Sequence, residues 1–109
     1  MGQTGLHSAP GQLYAELWVS LASLLRSYTA VHGLNGNRLA TVESDGKRIS
    51  VRFDARRLDL GREGATVNWQ REDGGKGKLE LTEAGQLRGV AGEEEMDMAA
   101  ERWARELMQ

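Results

Sequence analysis

Lys47-Arg48-Ile49-Ser50-Val51-Arg52-Phe53-Asp54 alternates apolar and polar side chains along its whole length, directly after Asp45-Gly46. A period of two places Ile49, Val51 and Phe53 on one face of a strand and Arg48, Ser50 and Arg52 on the other. One wet face and one buried face mark an antiparallel sheet. Asp-Gly between two such runs is a strong signal for a two-residue hairpin, here joining this strand to a shorter one from Leu39 to Glu43. The expected turn is type I′, with positive φ at Gly46.

The pattern repeats downstream. Ala65 to Glu72 sets Val67 and Trp69 against Thr66, Asn68 and Gln70. Asp73-Gly74-Gly75 turns the chain, and Leu79 and Leu81 then alternate with Lys78, Glu80 and Thr82. A weaker fifth strand follows the Glu83-Ala84-Gly85 turn, from Gln86 to Val90. Connections this short make a meander, because parallel neighbours need crossovers of a dozen or more residues. The segment around Arg56-Arg57 reads as a loop.

Upstream the period is helical. Leu13, Leu17, Leu21, Leu24 and Tyr28 recur at spacings of three and four after Pro10 and Gly11, and a second apolar row of Tyr14, Trp18, Leu25 and His32 lies beside them. Gly33 and Asn35-Gly36-Asn37 end the helix. At the other end of the chain, Glu93-Glu94-Glu95 reads as the first turn of a closing helix, where acids complement the positive end of the dipole. Its stripe is Met96, Ala99 or Ala100, Trp103 and Leu107. The expected architecture is α+β: an N-terminal helix, a four- or five-stranded antiparallel meander and a C-terminal helix, both helices on one sheet face. Residues 1–9 read as a flexible tail and 10–109 as one domain, near the commonest domain size.

Composition narrows the function classes. With 14 basic and 16 acidic residues the formal charge is −2, so no global charge draws the chain to nucleic acid or anionic lipid. Cysteine is absent, which removes disulfides, thiolate metal sites and cysteine nucleophiles, and fits a reducing cytoplasm. Leu13 to Val31 is the greasiest stretch, but Glu16 and Arg26 make it a poor membrane span.

No catalytic, cofactor or metal motif stands out. His7 lies in the expected tail and His32 at a helix end, neither beside a partner for triad chemistry. Gly74-Gly75-Lys76-Gly77-Lys78 lacks the Lys-Ser/Thr and the following helix that a phosphate loop requires. The three consecutive glutamates diverge by about 100° per residue on a helix and cannot converge on one ion. The reading is therefore a non-enzymatic, cytoplasmic interaction or regulatory protein without cofactor.

Three binding modes remain open. The first is self-association, a homodimer or protein partner meeting the second helical row, Tyr14, Trp18 and Leu25, since one row suffices to cover a sheet. The second is nucleic-acid binding by a basic sheet face through Arg48, Arg52, Arg56 and Arg57, with Arg62, Arg71, Lys76, Lys78 and Arg88 nearby. The strand aromatics Phe53 and Trp69 fall on the opposite face by parity, which weakens it. The third is carriage of a small apolar ligand between helix and sheet.

Overall fold

The computed structural model describes residues 9–34 and 39–109. The expected tail through residue 8, His7 and the Asn35-Gly36-Asn37 turn lie outside the described residues. The elements are α1 (Ala9–Gly33), β1 (Thr41–Ser44), β2 (Arg48–Phe53), β3 (Arg56–Glu63), β4 (Thr66–Arg71), β5 (Lys76–Leu81), β6 (Gln86–Gly89), β7 (Gly92–Glu95) and α2 (Met96–Met108). All seven strands form one antiparallel sheet in chain order, β1 through β7. No helix among the described residues is long and apolar enough to cross a membrane.

The sheet has seven strands rather than four or five. The segment expected to be the Arg56-Arg57 loop is β3, the longest strand, reached through a tight turn at Asp54, whose φ is 57°. The three glutamates are β7, an edge strand paired with β6, and the last helix starts only at Met96. Three carboxylates on an exposed edge discourage pairing with another chain.

Register sets one parity inward across the sheet. Ile49 faces Leu60, which faces Trp69, which faces Gly77; Val51 faces Leu58, which faces Arg71. Ile49, Val51, Leu58, Leu60, Val67, Leu81 and Leu87 are buried on this face beneath the helices. α1 and α2 pack side by side and run in the same direction. The Tyr28 hydroxyl donates to Asp97 Oδ1 at 2.6 Å, and one turn further on His32 Nε2 lies 3.2 Å from Glu101 Oε2. The Asp97 carboxylate accepting from Tyr28 holds that phenol above its usual pKa.

The core-facing stripe of α1 draws on both rows, Leu21 from the first and Trp18 and Leu25 from the second. Trp18, Leu21, Ala22, Leu25 and Thr29 are buried, while Leu17, Leu24 and Tyr28 of the first row flank them half-buried. α1 touches both the sheet and α2, and a helix with two neighbours needs a wide apolar arc. The Trp18 indole N–H donates to the Asp45 carbonyl at 2.8 Å, and Arg62 lies over its ring at 6.0 Å. Thr29 satisfies its buried hydroxyl on the Leu25 carbonyl at 2.7 Å.

The β1–β2 turn differs from a type I′ pair, because Gly46 does not have positive φ. Asp45 closes the turn instead: its Oδ1 accepts the backbone N–H groups of Lys47 at 2.8 Å and Arg48 at 2.9 Å. These two bonds hold its carboxyl below the usual carboxylate pKa. Gly46→Val is consequently expected to be mild, and Asp45→Ala to lower the melting midpoint at neutral pH. A lowered folded-state pKa gives stability present above the unfolded value and lost as pH falls through the folded one. The gap between Asp45→Ala and the parent should begin to narrow below about pH 4 and shrink further as pH falls through the lowered folded-state value. Parallel melts that keep the same gap at pH 7 and pH 3 would contradict this.

Candidate functional site

α2 covers only part of the inner sheet face, and the uncovered part is where the unusual residues gather. On β4, β5 and β6 the inward positions read Trp69, then Gly77 and Leu79, then Leu87 and Gly89. Two glycines at inward parity leave room that their neighbours fill. A Cβ on Gly77 would stand 2.6 Å from Trp69 Nε1, and one on Gly89 would stand 2.6 Å from Leu79 Cδ2. The Trp69 indole thus lies across β5 and Leu79 across β6, and both stay half-buried. Trp103 of α2 forms the opposite wall. Between them runs a groove of about 830 Å³, open along one side and ending at Val90 in the exposed β6–β7 turn.

A chain of paired charges borders it. Arg71 lies over the Trp69 ring at 5.1 Å and reaches Glu106 at 3.3 Å. Arg102 lies over Trp103 at 5.4 Å and bridges Glu94 at 2.9 Å to Glu106 at 3.7 Å. The hydrogen bond to Glu94 holds the Arg102 guanidinium still more firmly protonated. Arg71 Nε is buried and makes no hydrogen bond among the described residues. The groove offers flat apolar surface, stacked guanidinium groups and carboxylates already committed to them. That arrangement suits contact with an apolar group.

The residues singled out in the sequence are placed as follows. Trp18 and Leu25 sit inside the chain's own core, leaving Tyr14 half-buried at its margin. The expected interface row is therefore internal, because one wide arc serves two intramolecular neighbours. Arg48, Arg52 and Arg57 lie on the outer sheet face, where Arg52 pairs with Glu43 at 3.1 Å and Arg57 with Asp59 at 2.6 Å. Arg56 belongs to the inner parity instead. It donates to the Glu106 and Leu107 carbonyls at 2.8 and 3.5 Å, closing the C-terminal end of α2. Arg62 and Arg71 also turn inward, so three cations counted for a basic face serve the helix side.

Gly74-Gly75 is the β4–β5 hairpin turn, with Arg71 N–H donating to the Gly75 carbonyl at 2.7 Å. Among the described residues no three His, Cys, Asp or Glu side chains converge as a metal site. In the sequence the groove's one signal is the pair Gly77 and Gly89, at strand positions where an apolar side chain is due. Compared with family models, curated proteins and solved structures, the chain has no significant match.

Proposed function

We propose that this chain is a small, non-catalytic interaction protein that takes an apolar segment of a partner protein in the groove between α2 and β4–β6. The observation that carries the reading is the half-exposed pair Trp69 and Leu79 lining the groove, where Val67, Leu81 and Leu87 at the same parity of the same three strands are buried. Protein interfaces have this composition, an apolar centre of Trp and Arg types within a polar rim. A small-molecule site would bury most of its ligand, whereas this groove lies open along its length and suits an extended segment. The rim charges neutralise each other, which favours an apolar occupant over a charged one.

The test is a random peptide display selection on the folded chain, counter-selected on Trp69→Glu. Winners should carry aromatic or leucine side chains and quench tryptophan fluorescence in titration. Binding to Trp69→Glu should be weaker by about 30-fold, corresponding to a hot spot of about 2 kcal/mol. Circular dichroism should show that variant still folded, since Trp69 is only half-buried. Peptides that bind parent and variant equally would refute the groove as the contact surface. Light scattering on the parent tests whether the partner is a second copy.

A further inference from the structure

The outer sheet face carries a second feature, on the other side of the sheet from the groove and sharing with it the β5 residues Lys76, Gly77 and Lys78. Most of its charges are paired: Arg52 with Glu43, Arg57 with Asp59, and Arg88 with Glu80 and Glu93 at 3.5 and 3.7 Å. Three cations are not. Arg48, Lys76 and Lys78 have no carboxylate within 4.0 Å among the described residues. Arg48 does help to lower the pKa of Asp45, but that carboxylate is occupied by the turn.

Register lays these cations along the sheet. One rung across the outer face runs Arg48, Gly61, Asn68, Lys78, and the next runs Ser50, Asp59, Gln70, Lys76. Gly61 lowers the floor between Arg48 and Asn68, since a Cβ there would meet nothing within 4 Å. The result is a shallow concavity of about 690 Å³ with the amides of Asn68 and Gln70 at its centre and cations at both ends; the carboxylate that also lines it, Asp59, is held by Arg57 at 2.6 Å and accepts from the Ser50 hydroxyl at 2.8 Å. Arg48 and Lys78 stand three strand spacings apart, about 14 Å, and Lys76 is about 7 Å along β5 from Lys78. No single phosphate spans that distance.

We propose that the outer face of β2–β5 is a binding site for a linear chain of phosphates, held by its backbone alone. No aromatic side chain stands at an outward position of these strands, so bases would not be stacked or read. Recognition rests on charge, with release of counterions as its driving force. The two sources of such a chain are a single-stranded nucleic acid and an inorganic polyphosphate.

The experiment uses a fluorescein-labelled dT20 strand in anisotropy titrations, with inorganic tripolyphosphate as competitor. Three phosphate contacts on a single strand give a slope of log K against log salt near −2, or about a 20-fold loss between about 50 and about 200 mM salt. Lys76→Gln with Lys78→Gln should weaken binding at least about tenfold at low salt and reduce the slope to about −0.7. Arg88→Gln, on the same face but already ion-paired, should change binding less than about twofold, as expected of a rim charge. Displacement by tripolyphosphate assigns the site to phosphate chains in general, and its failure assigns it to the nucleic-acid strand; either supports the site. Absence of binding by both probes at about 50 mM salt would overturn it. So would a double variant that binds like the parent.

Discussion

Trp18→Glu is expected to leave no folded protein. Trp18 is 1% exposed at the crossing of α1 with the β1–β2 turn, and its N–H satisfies the Asp45 carbonyl. Removing a buried tryptophan side chain costs about 3–5 kcal/mol from lost burial and cavity alone. A carboxylate in its place would be unpaired and cost several kcal/mol more unless protonated. Domains of this size have about 5–15 kcal/mol in total. Far-UV circular dichroism and size exclusion decide the matter. A soluble, cooperatively melting monomer would mean that Trp18 faces outward and that α1 does present an interface. Trp18→Phe separates the two contributions, since it keeps most of the volume and loses the hydrogen bond, for about 0.5–1.5 kcal/mol.

Deleting α2, Met96 to Gln109, should abolish cooperative unfolding. The helix buries Met96, Ala99, Ala100, Trp103, Ala104 and Leu107 against α1 and the sheet. Its loss would bare Leu58, Leu60 and Leu87 and remove the carbonyls that Arg56 satisfies. A one-sided sheet with an exposed apolar face has the properties of a collapsed, dye-binding state rather than a native one. Calorimetry on the truncated chain should show no sharp transition. A melt near that of the parent would make the helix an appendage and would also dissolve the groove, whose wall it is.

The strands that alternate cleanly could be read from sequence because apolar side chains fill one parity, as in β2 and β4. β3 was hidden because two of its inward positions are Arg56 and Arg62, whose long stems reach out to cap α2 and to cover Trp18. Charge on both faces of a strand is indistinguishable from a loop until its tertiary partners are known. β7 is ambiguous in sequence for a related reason: consecutive glutamates suit a helix start as well as an edge strand. What decided between them was register, with Glu93 facing Arg88 and Glu95 facing Gln86. The groove was illegible because it depends on how far α2 extends over the sheet. The parity of Trp69 was plain, but its exposure is set by a helix distant in sequence.

The strict neighbour-to-neighbour order of the sheet also concentrates the entropic cost of folding at one place. Each strand finds its partner through a turn of a few residues, so the ladder assembles from local closures. The contacts that tie the two ends of the chain together are those between the helices, where Tyr28 meets Asp97 and His32 meets Glu101, each across 69 residues. Closing a loop of that size costs about 2 kcal/mol more than closing a hairpin of nine or so residues. Docking of α2 beside α1 is thus the step at which local order becomes a fold, and the same step builds the wall of the groove. Competence to bind there and completion of the core are one event.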